Sequence, residues 1–287
     1  MIAVDLSAYL ARIGYDGALD ASLETLAALH WHHVNRIPFE ALNPLLGRPV
    51  SLSTNDLETK LVRQQRGGYC HEHAQLFGQV LHQLGFAVRP LLARVLWGRP
   101  DEAPTPAATH QLLLVTLGDE PYVVDIGFGA LTGVAPLRLH ERGLQLTRHE
   151  TFRIRTQQNQ YVVEALEGGV WRALYRFSMA TVGQADYEMA NWFTACHPSS
   201  PFVGQLIASR VDGGVRHILH NDRYTRRHAD GRIERHLLGS PDAVVALLET
   251  VMGTHFPDHV ALKQRMGDLL HKQLSVRLPD LTLAQMP

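Results

Sequence analysis

The chain has 287 residues, of which 45% are hydrophobic and 19% are charged, and its formal net charge is −1. A chain of this length buries about three-quarters of its extended surface on folding, so it can form a large core without disulfide bonds. These proportions are globular and exclude a collagen, a coiled coil and a wholly disordered chain. The balanced charge argues against nucleic acid as a partner, because no basic excess is available to neutralise phosphates.

Compartment and membrane association are constrained by two further features. No apolar run approaches the roughly 18 residues of a transmembrane helix, and the N-terminus lacks a basic region followed by an apolar one. The only cysteines are Cys70 and Cys196. We therefore expect a cytoplasmic, reduced protein that neither enters a membrane nor depends on a disulfide.

The first ninety residues are patterned as helices. Asp20 is the expected N-cap of one helix, which Ile37-Pro38 ends. Ser53 or Thr54 is expected to cap a second helix. A third helix is predicted over Cys70–Leu84, because it follows a Gly-Gly break and is itself followed by a glycine.

After Gly85 the hydrophobic period becomes that of strands. The predicted strands are Phe86–Trp97, Gln111–Leu117, Tyr122–Ile126, Thr151–Arg155, Tyr161–Leu166 and Val170–Phe177. They are typical of a barrel or a strongly twisted sheet. From about residue 200 onward, hairpin turns at Asp212-Gly213-Gly214 and Asp230-Gly231 precede a helix that Ser240-Pro241 opens, so the last part mixes strands and helices.

Cys70 lies at a position that suits a nucleophile. It falls on the first turn of a predicted helix, directly after Gly67-Gly68. Unpaired backbone N–H groups and the positive end of the helix dipole lie there, and both favour the thiolate over the thiol. The placement indicates covalent catalysis as readily as it does the ordinary alternative, a buried core cysteine. Cys196 has no comparable helix start, and we expect it to pack in the core.

Among the 17 histidines, His110 has a predicted partner. Two strands meet at Gly118-Asp119, which suits a two-residue type II′ turn because the glycine comes first. That register places Asp125 opposite Leu112 and therefore diagonal to His110, within reach of its imidazole. A carboxylate held against an imidazole nitrogen is the arrangement that orients a catalytic histidine. The alternative is a structural histidine near a strand-end aspartate.

Several motifs follow one another in a characteristic order. They are Ile37-Pro38-Phe39-Glu40 with Asn43-Pro44-Leu45, Arg66-Gly67-Gly68-Tyr69-Cys70-His71-Glu72, Thr109-His110 before a strand, Val124-Asp125-Ile126-Gly127-Phe128-Gly129, and Asn191-Trp192-Phe193 leading to His197-Pro198-Ser199-Ser200-Pro201-Phe202. With these motifs the chain resembles the arylamine N-acetyltransferase family over most of its length. Ala74 departs from the family pattern, which usually has asparagine there. Because Ala74 faces the predicted helix core, we expect a packing substitution that leaves the triad in place.

The resemblance implies an α+β multidomain fold, which agrees with the order of the predicted elements. Residues 1–88 would form an N-terminal helical bundle that carries the nucleophile. Residues 89–200 would form a central β-barrel that carries the histidine and the aspartate, and residues 201–287 a C-terminal α/β lid. The papain-like core of the family has a Cys-His-Asp triad that falls on Cys70, His110 and Asp125.

The resemblance also implies a ping-pong acetyl transfer. Acetyl-CoA would be a co-substrate rather than a bound cofactor, and no metal would be required. Cys70 would take the acetyl group and pass it to an arylamine, arylhydrazine or arylhydroxylamine, as in xenobiotic metabolism. His110 would shuttle protons and Asp125 would orient it. The expected partners are acetyl-CoA and small aromatic amines or hydrazines, and a homo-oligomer is left open.

Residues around the triad receive roles from the same resemblance. The acceptor pocket would be lined by side chains that otherwise pass for core residues: Phe39, Val95, Thr109, Phe128 and Phe202. Gly127 and Gly129 would let the backbone approach acetyl-CoA closely, although ordinary turn glycines are an equal alternative. Glu40 and Arg66 would pair to brace the loop before Cys70, although most such residues are merely solvated.

Other classes of protein compete with this interpretation. A metal site is suggested by the clusters His30, His32, His33 and Cys70-His71-Glu72-His73. However, Gln75 stands where a zincin helix needs its second histidine, and residues two apart on a helix do not share a face, so structural or surface histidines are favoured. An amide synthase, or another cysteine acyltransferase, peptidase or transglutaminase, would use the same Cys-His-Asp order. A non-catalytic binding module would have no use for an activated cysteine.

Overall fold

The structure is a computed structural model that describes residues 3–100 and 102–277. Its α-helices are α1 (Leu6–Ile13), α2 (Leu23–Arg36), α3 (Leu42–Leu45), α4 (Thr54–Leu57), α5 (Cys70–Gln83), α6 (Gln184–Cys196), α7 (Pro201–Gly204), α8 (Pro241–Thr250) and α9 (His259–Arg277), and a π-helix, Glu58–Arg63, continues α4. Its strands are β1 (Phe39–Glu40), β2 (Ala87–Val95), β3 (Ala108–Leu117), β4 (Glu120–Val124), β5 (Leu137–Arg138), β6 (Gln145–Leu146), β7 (Thr151–Gln157), β8 (Gln160–Glu167), β9 (Val170–Phe177), β10 (Ile207–Asp212), β11 (Val215–His220), β12 (Arg223–His228) and β13 (Ile233–Leu237).

Serine side chains begin several of the helices. Ser53 and Ser240 cap α4 and α8 as predicted, each accepting a bond from the backbone N–H three residues on. The predicted N-cap of α2 was wrong. Ser22 caps that helix by accepting from the Thr25 N–H, while Asp20 lies before it and accepts from the Thr25 hydroxyl at 3.0 Å. The helical pattern identified the element, but it did not distinguish between two capping residues that lie two positions apart.

The N-terminal helices pack around one hydrophobic core. Side chains from α1, α2 and α5 meet there, including the fully buried Tyr9, Leu26, Leu29, Phe77 and Val80. Ala74 is buried in the same core, as its position on the helix predicted. The packing therefore fixes α5, whose first residue is Cys70, against α1 and α2.

Eight of the described strands form one antiparallel, nearly closed sheet in the order β5-β4-β3-β2-β9-β8-β7-β6. The two edge strands are joined through the side chain of Gln145 in β6. Its Oε1 accepts from the Arg138 backbone N–H at 2.8 Å, and its Nε2 donates to the Arg138 carbonyl at 3.0 Å. The barrel-like interior is filled by side chains such as Leu112, Phe152 and Leu174. This agrees with the barrel or twisted sheet predicted for the middle of the chain.

A second antiparallel sheet has the order β1-β10-β11-β12-β13. Its β10–β11 turn is Gly213-Gly214, as predicted, whereas Arg227 pairs with Ile233 and leaves a longer loop around Asp230-Gly231. Helices α8 and α9 pack on this sheet through a core that includes Leu219. None of the helices in the described part of the chain is long and apolar enough to cross a bilayer.

The β3–β4 hairpin adopts the register that the sequence predicted. Leu113 pairs with Val124 and Leu117 with Glu120, which leaves Gly118-Asp119 as a two-residue turn. Gly118 has φ +58°, and glycine takes this left-handed conformation at little cost. Continued by one residue, the register places Leu112 opposite Asp125.

Candidate active site

Cys70 is the first residue of α5 and is buried. Tyr69 precedes the helix in an extended conformation, and its backbone N–H donates to Oε2 of Glu72 at 3.1 Å. The Cys70 Sγ lies 3.8 Å from the carbonyl oxygen of Thr109 in β3. The thiol therefore lies where a helix N-terminus meets the barrel-like sheet.

The loop before Cys70 is braced by buried charges. Arg66 forms a 2.6 Å ion pair with Glu40, and Lys60 forms another of 2.6 Å with Glu72. Burial opposes ionisation of Glu40, but the positive charges of Arg66 and Lys60 lower its pKa. Burial dominates at Glu72 and raises its pKa. These pairs tie the loop to β1 on one side and to the start of α5 on the other.

A buried chain of hydrogen bonds runs from α1 to the same loop. Tyr9 Oη lies 2.8 Å from His33 Nδ1, His33 Nε2 lies 2.7 Å from His73 Nδ1, and His73 Nε2 lies 3.0 Å from the Gly68 carbonyl oxygen. Burial lowers the pKa of His33 and lowers that of His73 to about 4, so both rings are neutral near pH 7. Because a carbonyl only accepts, His73 donates to Gly68, His33 to His73, and Tyr9 to His33.

His110 and Asp125 form a buried pair in which His110 Nε2 lies 2.8 Å from Asp125 Oδ2. Burial alone would lower the pKa of His110, but the charge of Asp125 and hydrogen bonds to Asp125 and Cys70 outweigh it and raise that pKa to about 10. Burial would raise the pKa of Asp125, and the charge of His110 lowers it instead. The imidazole is therefore positively charged between its carboxylate and the sulfur of Cys70.

Two further groups hold Asp125. The backbone N–H of Gly127 donates to Asp125 Oδ1 at 3.1 Å, and the hydroxyl of Tyr175 hydrogen-bonds to the same carboxylate. The Tyr175 and Phe128 rings lie 5.0 Å and 5.2 Å from the His110 ring, measured between centroids. Both the carboxylate and the imidazole are thus fixed on several sides.

Cys70 and His110 open into a cavity of about 420 Å³. All of the residues predicted for the acceptor pocket and for acetyl-CoA line it, namely Phe39, Val95, Thr109, Gly127, Phe128, Gly129 and Phe202. Trp97, Leu131, Thr194, Ile218 and His220 complete much of the lining and were not predicted. Because Ile218 and His220 belong to the second sheet, the cavity lies between the two sheets.

The two glycines of the cavity have steric reasons to be glycine. A Cβ on Gly127 would lie 2.8 Å from the Cα of Cys70, which is closer than two carbon atoms pack. Gly129 has φ +92°, a conformation that other residues rarely adopt, and a Cβ there would meet the ring of Phe39 at 3.6 Å. Close packing against the nucleophile therefore accounts for Gly127.

Cys196 is exposed at the end of α6, so the prediction that it packs in the core was wrong. The buried face of that helix carries Tyr187, Ala190, Thr194 and Ala195, and Cys196 falls on the opposite side. The metal alternative finds no support in residues 3–100 and 102–277, which contain no group of three or more His, Cys, Asp and Glu side chains able to hold an ion. His30 bonds instead to the Gly133 carbonyl at 2.9 Å.

Some residues of the site could not be found from sequence patterns. Tyr175 sits in an ordinary strand pattern and reaches Asp125 only because β9 pairs with β2 in the sheet. Tyr9 and His33 are distant from Cys70 in the chain, and only the packing of α1 and α2 against α5 brings them to its loop. Each contact is non-local and leaves no local motif.

The whole chain was also compared with known proteins. A sequence profile of a family described as N-acetyltransferase matches residues 22–260. The arylamine N-acetyltransferase of Mycobacterium tuberculosis (strain ATCC 25618 / H37Rv) is 40% identical over 284 residues, which cover 97% of this chain and 100% of that protein. The Salmonella typhimurium arylamine N-acetyltransferase / N-hydroxyarylamine O-acetyltransferase is 36% identical over 250 residues, covering 86% of this chain and 88% of that protein.

The fold has equally clear relatives among solved structures. The structure of Mycobacterium marinum arylamine N-acetyltransferase in complex with CoA matches with a TM-score of 0.89 and 41% sequence identity. The match covers 92% of this chain and 99% of that one. Sequence and structure therefore agree along nearly the whole chain.

Proposed function

The chain belongs to the arylamine N-acetyltransferase family, and from that premise we propose that it transfers an acetyl group from acetyl-CoA to the nitrogen of an arylamine or arylhydrazine, or to an arylhydroxylamine. The observation that carries the proposal is the line of groups from Asp125 through His110 to Cys70. The hydrogen bond between Asp125 and His110 is 2.8 Å long, and Cys70 lines the cavity.

Each member of the proposed triad has a role that its surroundings explain. Cys70 is the nucleophile, because the helix N-terminus and the imidazolium of His110 both stabilise a thiolate. His110 holds and moves protons. Asp125 keeps the imidazole in one orientation and stabilises its positive charge, and it is itself held by Gly127 and Tyr175.

The reaction follows a ping-pong course. The Cys70 thiolate attacks the thioester carbonyl carbon, a C–S bond to the enzyme forms, and the bond to the CoA sulfur breaks as that sulfur takes a proton from His110. The acceptor amine then attacks the acetyl-cysteine, loses a proton to His110, and releases the thiolate. The Cys70 backbone N–H at the start of α5 is placed to stabilise the oxyanion of each tetrahedral intermediate.

The rest of the site shapes this chemistry. Phe39, Val95, Thr109, Phe128 and Phe202 would receive the aromatic ring of the acceptor, and Gly127 and Gly129 would let the thioester approach the sulfur. Glu40 and Arg66 would hold the loop that presents Cys70. We further propose a papain-like core divided into a bundle (1–88), a barrel (89–200) and an α/β lid (201–287), with the lid closing the cavity through β11. Residues 1, 2, 101 and 278–287 of these ranges lie outside the described residues.

Intact mass spectrometry tests the proposal. Mixing the protein with acetyl-CoA and no amine should add one acetyl group and release an equivalent of CoA, and a later addition of an arylamine should remove the adduct. Cys70→Ser should not form the adduct, whereas Cys196→Ser should form it normally. An acetyl group on Cys196 in place of Cys70, or no adduct at all, would contradict the mechanism.

Because Cys70 acts only when reduced, we expect the protein to work in a reducing compartment.

A further inference from the structure

The imidazole of His71, the residue after Cys70, contacts β3, the strand that carries His110. Its Nε2 lies 3.0 Å from the Thr109 carbonyl oxygen and its Nδ1 lies 3.0 Å from Oε1 of Gln111. Both His71 and Gln111 are buried. The two contacts fall on the two residues that flank His110, so His71, the neighbour of the nucleophile, is joined to both neighbours of the histidine.

The backbone of β3 explains why the Thr109 carbonyl is free to accept this bond. His110 pairs with Ala93 of β2, but the next pair is Ala108 with Arg94. Thr109 is therefore the extra residue of a β-bulge, and such a residue drops out of the ladder of strand hydrogen bonds. Its partly buried carbonyl needs a donor from elsewhere, because an acceptor that is shielded from water and left unsatisfied is costly.

Two side chains lie within reach of that carbonyl. His71 Nε2 lies at 3.0 Å and the Cys70 Sγ at 3.8 Å. A carbonyl oxygen can accept two hydrogen bonds, so the two contacts coexist, and the shorter one holds the start of α5 to the strand that carries His110. Without His71 that bond is lost, and the distance between Cys70 and His110 is no longer fixed from this side.

We propose that His71 is a positioning residue of the acetyl transfer: its bond to the Thr109 carbonyl fixes the spacing of Cys70 and His110, and so aligns the thiol with the imidazole that takes its proton. The inference rests on the proposed function for its role in turnover, but its effect on the thiol is independent of acetyl-CoA.

The protonation of His71 follows from its partners. Burial lowers its pKa to about 4, so the ring is neutral near pH 7. Since the Thr109 carbonyl only accepts, Nε2 carries the proton and Nδ1 must accept. Gln111 satisfies Nδ1 when its side-chain amide is turned so that the nitrogen, rather than Oε1, faces His71. In the opposite orientation that nitrogen has no hydrogen-bond partner in the part of the chain that the structure describes.

Alkylation of Cys70 by iodoacetamide, followed from pH 5 to 10 by peptide mass spectrometry, tests this role. His71→Phe keeps a ring but removes the donor, so the inflection of the alkylation rate should move to higher pH. We also expect a fall in kcat that is larger than the change in KM. His71→Gln can donate from its amide nitrogen to Thr109 and should restore much of the original profile. His82→Phe, on the exposed side of the same helix, should leave it unchanged.

The outcomes separate the proposal from a general loss of packing. An unshifted inflection in folded His71→Phe overturns it, and so does an equal shift in His71→Gln. If His71→Phe does not fold, ¹⁵N NMR of the His71 ring in the wild-type protein at pH 7 decides. A protonated Nε2 with an unprotonated Nδ1 supports the proposal. The opposite tautomer or an imidazolium overturns it. A shifted inflection in a protein that forms no acetyl adduct would refute the proposed function alone.

Discussion

His110 and Asp125 are joined by a 2.8 Å hydrogen bond although they are not opposite each other in the hairpin. Extending the observed register by one residue places Leu112 opposite Asp125. Residues 110 and 112 project from the same face of β3, so the carboxylate reaches the imidazole along the diagonal. The two-residue turn at Gly118-Asp119 therefore sets the geometry of the pair, because any other loop length would change the register.

Replacing Asp125 with Asn should leave the fold intact and remove most activity. The amide is nearly isosteric but carries no charge, so the imidazolium loses its stabilising partner and the ring can adopt the wrong tautomer. We expect kcat for an arylamine to fall by at least about 100-fold. Steady-state kinetics and a thermal melt check this, and near-normal turnover would show that Asp125 does not orient His110.

Cys70 should react with iodoacetamide faster in the wild-type protein than in a variant that lacks the charge of His110. The raised pKa of His110, about 10, means that the imidazolium persists beside the sulfur across the neutral range. In His110→Ala that charge is absent, so the thiolate loses a stabilising neighbour and alkylation of Cys70 at pH 6 should be slower than in the wild-type protein.

Cys196 provides the control within the same molecule. It is exposed, whereas Cys70 is buried, so access alone would make Cys196 the faster site. Faster alkylation of Cys70 at pH 6 must therefore come from its ionisation. Equal profiles for the two cysteines in the wild-type protein would mean that no ion pair exists before substrate binds.

The parts of this site that local rules govern could be predicted from the sequence. The start of α5 follows from a Gly-Gly break before an amphipathic pattern, and the β3–β4 register follows from one glycine turn. The register brings Asp125 to His110, whereas the approach of Cys70 to His110 also requires α5 to pack against β3.

The remainder depends on contacts between distant segments. The bulge at Thr109 depends on how β3 fits β2, and the placement of Tyr175 depends on the pairing of β2 with β9. The exposure of Cys196 depends on which face of α6 packs inward, and a helix of weak amphipathicity does not reveal that face. Tertiary packing decides each of these three features, and it leaves no pattern in the local sequence.

Adding a methyl group at Gly127 should disable the nucleophile. An alanine Cβ would lie 2.8 Å from the Cα of Cys70, so either α5 or the segment after Asp125 must move. A displacement of this kind changes the Cys70–His110 distance, and we expect activity to fall by about 100-fold or more. Gly239→Ala is the matched control, because nothing lies within 4 Å of a Cβ there. Wild-type activity in Gly127→Ala would show that the site tolerates the shift.

Buried neutral histidines should make the protein sensitive to mild acid. Burial lowers the pKa of His30, His71 and His73 to about 4 and that of His33 further. In the unfolded chain each titrates near about 6.5, so between pH 6.5 and 4 the unfolded state binds more protons than the folded state. The free energy of unfolding must then decrease as the pH falls, by up to about 1.4 kcal/mol per pH unit for each histidine.

His110 acts in the opposite direction and in a different range. Its folded pKa is raised to about 10, so its contribution to stability is complete below about pH 6.5 and is lost as the pH rises toward 10. Urea unfolding at intervals from pH 4.5 to 10 should therefore show a maximum near neutrality. Below neutral pH, His33→Gln should reduce the slope of the free energy of unfolding against pH by the amount that corresponds to about one bound proton. His82→Gln, at an exposed position, should not change that slope. An acid limb of equal slope in His33→Gln and wild type would show that His33 is not neutral in the folded protein.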